Sequence, residues 1–169
     1  MMIWLVGMMG VGKSAVGEAV AAATGLRHVD TDDEIERRAE SSIGELFETV
    51  GEPTFRLFEA ALVAELARAD GRVVVSTGGG VVLDPASVEH MRASGDVVWL
   101  TAATGELAGR VGTGEGRPLL ADDEVEGTLG DLLNRRTPLY EAAAHHRVAT
   151  AGRHPADVAA EVIELCRPA

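Results

Sequence analysis

Cysteine is nearly absent from this chain, Cys166 near the C-terminus being the only one. A lone thiol can close no internal disulfide and cannot build a cysteine-based metal cage. Cys166 is expected to be a small, half-buried side chain on the last helix. Basic side chains are in deficit too: 15 Lys and Arg face 27 Asp and Glu, a formal charge of -12. That charge repels a nucleic-acid backbone over most of the surface and disfavours nucleic acid as a partner. Small anionic ligands remain open, because a local group of arginines sets the potential inside a cleft whatever the exterior does. No apolar run approaches bilayer-spanning length, so no membrane association is expected. The apolar run at 2–6 leads into a glycine-rich loop where a secretory leader would carry its cleavage site, which predicts a soluble, cytoplasmic protein. Repeats, low-complexity tracts and Pro/Ser linkers are also missing. At 169 residues and 46% hydrophobic, the chain is sized for a single domain, 1–169, with a substantial core.

What is present is dominated by residues 7–14, Gly-Met-Met-Gly-Val-Gly-Lys-Ser, which spell G-x-x-x-x-G-K-S between the apolar run and a helix-prone stretch. Strand, loop, helix is the order a phosphate cradle requires. Gly7, Gly10 and Gly12 let the backbone curl and aim N–H groups at phosphate oxygens. A helix beginning near Lys13 adds its positive end to the same spot. Lys13 is placed to reach the β- and γ-phosphates, and the Ser14 hydroxyl to hold Mg²⁺.

Buried-strand patterns occur at 3–6, 72–76 and 96–100, with shorter candidates at 28–30 and 147–150. Helical spacing covers 14–23, 31–39, 43–50, 52–69, 85–93, 104–111, 124–145 and 155–165. Strands alternating with helices predict an α/β fold with a mainly parallel sheet. One segment stands apart: 112–123 is glycine-rich, bracketed by helices, preceded by Arg110 and carrying Arg117. In a phosphate-binding protein such a segment suggests a lid that closes over the transferred group; composition alone fits an ordinary surface loop equally well.

Four further groups carry chemistry. Asp30-Thr31-Asp32 follows the second strand, where strand ends beside a phosphate loop face the ligand crevice. One carboxylate could hold water on Mg²⁺ while the other orients an attacking hydroxyl, although Asp and Thr also cap helices. Asp33 and Glu34 suit the first turn of the following helix. Arg56 and Glu59 lie three apart on one helix face; a braced guanidinium suits bidentate capture of a carboxylate, yet spacing alone favours a surface ion pair of little weight. Gly78-Gly79-Gly80 ends the third strand and lets a ligand approach the backbone. Arg135-Arg136 precede Pro138, which should kink the helix or start a new turn; Arg136 is placed toward the cleft and Arg135 toward solvent. His145 and His146 have no nearby carboxylate or cysteine at ligand spacing and read as helix-end residues, as do His28, His90 and His154.

Taken in order, these motifs resemble the shikimate kinases: the loop at 7–14, Asp30-Thr31-Asp32 with Glu34-Ile35-Glu36, Ser42-Ile43, Gly51-Glu52 with Phe55-Arg56 and Glu59, Gly78-Gly79-Gly80, Arg117-Pro118-Leu119-Leu120, and Arg136 with Pro138-Leu139-Tyr140. The resemblance implies a three-layer P-loop NTPase fold of the nucleoside-monophosphate-kinase type, with a five-stranded parallel sheet flanked by helices. It implies a single kinase domain with a substrate-binding helical region at about 31–60 and a lid at about 112–123. It assigns Gly10, Val11, Gly12, Lys13, Ser14, Ala15, Arg110, Arg117 and Arg153 to ATP, with Arg110 against adenine. Asp32, Arg56, Glu59, Gly78, Gly79, Gly80 and Arg136 fall to shikimate, with Glu59 bracing Arg56. Ser14 and Asp30 would hold Mg²⁺; Lys13, Asp32 and Arg117 would be catalytic. The activity implied is phosphorylation of the 3-hydroxyl of shikimate by ATP, toward chorismate, by a monomer. Pro53, between Gly51-Glu52 and Phe55-Arg56, departs from the pattern at a first helical turn where proline is tolerable. The short Gly-Glu-Gly before Arg117 also departs from it. A kinase for another hydroxylated acid such as gluconate shares the carboxylate clamp, and a nucleotide switch would be expected to lack Arg117 or Asp32.

Overall fold

The computed structural model describes residues 2–69, 71–111 and 125–167. Five parallel strands form one sheet in the order β2-β3-β1-β4-β5: β1 is Met2–Val6, β2 Arg27–Asp30, β3 Val73–Ser76, β4 Asp96–Thr101 and β5 His146–Ala149. Among the described residues seven α-helices accompany them: α1 Lys13–Thr24, α2 Thr31–Ala39, α3 Ile43–Arg68, α4 Pro85–Ser94, α5 Thr104–Val111, α6 Val125–Ala143 and α7 Pro155–Leu165. Every residue of β1 and β3 is buried, as expected of central parallel strands covered on both faces. Ile3, Trp4, Leu5 and Val6 are fully enclosed, and the Trp4 indole donates to Ser94 Oγ on α4 at 3.0 Å. The predicted strands and helices are all present, with ends shifted by a residue or two.

The helices expected at 43–50 and 52–69 form the two arms of α3, which breaks between them at Gly51, where φ is 78° and ψ 161°. Pro53 therefore sits in a first turn, where it costs no hydrogen bond. Ser42 opens α3 with a reciprocal cap shared with Glu45. The helix expected at 124–145 is present as α6, Val125–Ala143, with Pro138 inside it, where proline removes a single N–H. Two expectations are corrected. Cys166 is buried rather than half-exposed, and burial pushes its thiol up to about 12. The histidines are not uniformly helix-end residues. His28 lies in β2 and His146 in β5 within 3.4 Å of Asp96, whereas His154 does cap α7. No helix among the described residues is long and apolar enough to cross a membrane.

Strand order positions the site. Strand β1 lies between β3 and β4; the connection leaving β1 runs to β2 on one side and the connection leaving β3 runs to β4 on the other, which opens a crevice beyond the carboxyl ends of β1 and β3. Leu5 and Asp30 both pair with Ser76, which brings the ends of β1, β2 and β3 level. The loops leaving those ends carry 7–14, 30–32 and 78–80.

Candidate active site

Phosphate-binding geometry begins at Gly12, which caps α1 in a left-handed conformation, φ 96°, that disfavours side chains. No side chain caps α1 and its first turn holds no acid, so its leading amides suit an anion. Lys13 Nζ donates to the carbonyls of Gly7 at 2.8 Å and Met8 at 3.0 Å, folding the ammonium over the loop. The carbonyl of Lys13 accepts from Ser76 Oγ at 2.9 Å, and that hydroxyl also lies 2.9 Å from His28 Nε2. Ser14 Oγ donates to Asp30 Oδ2 at 2.6 Å, while Asp30 Oδ1 caps α2 by accepting from the Asp32 amide at 3.0 Å. This pair of hard oxygens suits a divalent cation completed by phosphate and water; no group of three or more acidic, His or Cys ligands exists among the described residues.

The facing half is built on α3, α6 and the glycine run. Arg56 NH1 donates to Glu59 Oε2 at 2.7 Å, and NH2 to Glu52 Oε1 at 2.9 Å. Glu59 is 3% exposed, so the surface pair that spacing favoured is a buried brace. The Arg56 guanidinium lies flat on Gly80, where a Cβ would collide with it. A Cβ at Gly78 would likewise strike the Glu59 carboxylate and come within 2.9 Å of Asp32 Oδ1. Asp32 Oδ1 and Glu59 Oε1 are buried oxygens without a hydrogen-bond partner among the described residues. Burial, with Asp30 and Glu59 adding, raises Asp32 to about 6 against the pull of Lys13 and Arg56. Burial raises Glu59 as well, with Arg56 opposing. Arg136, 4% exposed, donates from NH1 to the Gly79 carbonyl at 3.2 Å, while Arg135 faces solvent.

Both halves line one cavity of about 610 Å³, which Gly10, Gly12, Lys13, Ser14, Ala15 and Asp30 enter from one side and Asp32, Arg56, Glu59, Arg136 and residues 78–80 from the other. Arg110 borders it from α5, donating to Thr150 Oγ1 at 3.1 Å and to the Val11 carbonyl at 3.4 Å. Val11 is buried in the core. Arg153 does not line this cavity; it pairs with Glu161 at 2.7 Å beyond β5. Arg117 and the lid expected at 112–123 lie outside the described residues. Residues that received no role from sequence also belong to the site: Ile43 and Phe47 line the cavity, Phe47 packed on Phe55 with centroids 4.9 Å apart, and Thr31 supports it from behind, its Oγ1 accepting from the Gly78 amide at 3.0 Å. Their only sequence signal was position, inside or beside a motif.

A phosphate cradle at the end of a central parallel strand, facing a pocket with two arginines across one crevice, places the chain among the P-loop nucleotide-binding proteins. Comparison with known proteins narrows the class, for the family model described as shikimate kinase matches residues 9–167. The shikimate kinase of Pseudomonas entomophila is 42% identical over 160 residues, covering 95% of this chain and 92% of that protein. The enzyme of Halorhodospira halophila is 43% identical over 162 residues, covering 96% and 91%. A shikimate kinase from Acinetobacter baumannii, solved in complex with shikimate, superposes with a TM-score of 0.92 at 34% identity, covering 97% of this chain and 91% of that one. The chain belongs to the shikimate kinase family.

Proposed function

We propose that this protein transfers the γ-phosphoryl group of ATP to the 3-hydroxyl of shikimate, giving shikimate 3-phosphate and ADP, on the route to chorismate and the aromatic amino acids. The observation that carries this reading is the meeting of Arg56 and Arg136, from α3 and α6, in the cavity that also holds Lys13 and Ser14. The two guanidiniums clamp the shikimate carboxylate, and Glu59 and Glu52 hold Arg56 in place for bidentate contact. Asp32 accepts a hydrogen bond from the attacking hydroxyl and takes its proton as the new O–P bond forms and the bond to ADP breaks. Lys13 leaves the loop carbonyls for the phosphates, and Arg117 neutralises the same charge. Ser14 and Asp30 hold Mg²⁺, directly or through water, and the ion when bound offsets phosphate charge. Every residue in this account comes from one chain, which suits a monomer with a single kinase domain, and a lone buried thiol suits the reducing cytoplasm.

An acid panel tests the proposal. ADP release with Mg-ATP should depend on shikimate and stay at background with gluconate, and the product should carry its phosphate on the 3-oxygen. Equal turnover with gluconate would contradict the assigned acceptor.

A further inference from the structure

Gly79 is the seam of the site. A Cβ at this position would lie 3.4 Å from the Met9 amide nitrogen, 3.5 Å from the Gly7 carbonyl oxygen and 3.7 Å from Arg136 NH1. The glycine run therefore touches the phosphate loop and the acid-binding arginine at the same residue. Its carbonyl takes two donors from α6, Arg136 NH1 at 3.2 Å and the Tyr140 hydroxyl at 2.5 Å. Tyr140, the only tyrosine of the chain, is fully enclosed and stacks on Trp99 of β4, with centroids 5.8 Å apart at 20°. Met8 Sδ lies 3.7 Å from the same hydroxyl, but one O–H proton serves one strong acceptor, and the carbonyl is both nearer and stronger.

We propose that Tyr140 is a positioning residue for the acid half of the reaction: its hydroxyl fixes the Gly79 carbonyl, and so holds Arg136 and residues 78–80 in register with the phosphate loop. This rests on the reading of the cleft given above. Arg136 and Tyr140 stand one helical turn apart on α6 and converge on one acceptor. Without the hydroxyl, Arg136 alone must satisfy that buried carbonyl, and a guanidinium drawn to it is drawn from the substrate carboxylate. The ring is anchored on the sheet by Trp99, so the hydroxyl holds Gly79 to a rigid element rather than to another loop. Burial raises the phenol to about 12, which keeps it a donor over the whole working pH range.

Tyr140→Phe is the test, because it removes the donor and keeps the packed ring. Steady-state kinetics should show KM for shikimate raised about five- to tenfold, the loss of roughly one hydrogen bond, with KM for Mg-ATP within about twofold of the wild type. Amide exchange gives a second readout that needs no turnover: the Gly78 and Val81 amides, bonded to Thr31 Oγ1 and to the Gly78 carbonyl, should exchange faster in the variant. An unchanged KM for shikimate, a parallel rise for both substrates, or unchanged exchange at these amides would each overturn the inference while leaving the proposed reaction standing. A wild-type protein with no shikimate-dependent turnover would overturn both.

Discussion

In the proposed reaction Asp32 serves chemistry at the expense of stability. Its folded carboxyl, raised to about 6 from an ordinary 3.8, holds its proton more tightly than the unfolded chain does. Stability therefore falls as pH climbs through the interval between those values and, as far as this group decides it, levels above it. Asp32→Asn removes that slope and should raise the melting temperature at pH 7 while abolishing turnover; thermal melts from pH 4 to 7 read both. In the wild type, kcat/KM for shikimate should rise with a midpoint near 6 as Asp32 ionises. Arg136→Ala should raise KM for the acid roughly 100-fold with Mg-ATP affinity nearly unchanged, as calorimetry with the nucleotide would show. Single residues were unevenly legible. Lys13 and Ser14 sit in a contiguous motif whose chemistry is local, so spacing alone exposed them. Arg56 was misread on spacing as half of a surface pair, because its surroundings are set by burial of Glu59 under Gly78 and the fit of its guanidinium on Gly80. Helical periodicity cannot report contacts with a loop so far along the chain.

At the scale of elements, the site depends on how closely α1 can lie on β2 and β3. Gly17 is the contact: a Cβ there would stand 2.5 Å from His28 Nε2 and 2.7 Å from Ser76 Oγ. Gly17→Ala should lift the first turn of α1 off the Ser76 hydroxyl, destabilise the protein by about 1–3 kcal/mol and raise KM for Mg-ATP; thermal melts with kinetics would separate the two effects. Ser42→Ala tests the other side, since the reciprocal cap with Glu45 starts the segment that brings Ile43 and Phe47 to the cavity. Its expected cost is about 1 kcal/mol, measurable by denaturant titration, with a raised KM for shikimate and unaltered nucleotide affinity. Element type was readable throughout, because apolar runs of strand length and amphipathic spacing are local signals. The break at Gly51 was legible too, since the helical spacing itself parts there into 43–50 and 52–69. The effect of Pro138 inside α6 was harder to read, because whether a helix carries on past a proline is a tertiary matter.

For the whole molecule, sheet order does what no single segment can. Residues 7–14, 30–32, 56–59, 78–80 and 136 are dispersed along the chain, yet the switch beside β1 sends their elements to one crevice. It also reconciles a surface charge of -12 with anionic ligands, because Lys13, Arg56, Arg110 and Arg136 all border the same cavity. The alternation of strands and helices announced a parallel α/β sheet, and the ordered series of motifs announced the family. The junction at Gly79, where Tyr140 and Arg136 meet the phosphate loop, was invisible because no sequence pattern records a shared acceptor.

The central claim is that a ring alcohol and the terminal phosphate of ATP meet in line between these two halves. A crystal structure with shikimate and a non-hydrolysable ATP analogue tests it most directly. The account predicts the carboxylate between Arg56 and Arg136, the 3-hydroxyl within about 2.6–3.2 Å of Asp32, and the γ-phosphate at Lys13 in line with that hydroxyl. Shikimate bound with its carboxylate away from both arginines, or with its 3-hydroxyl turned from the phosphate loop, would contradict it.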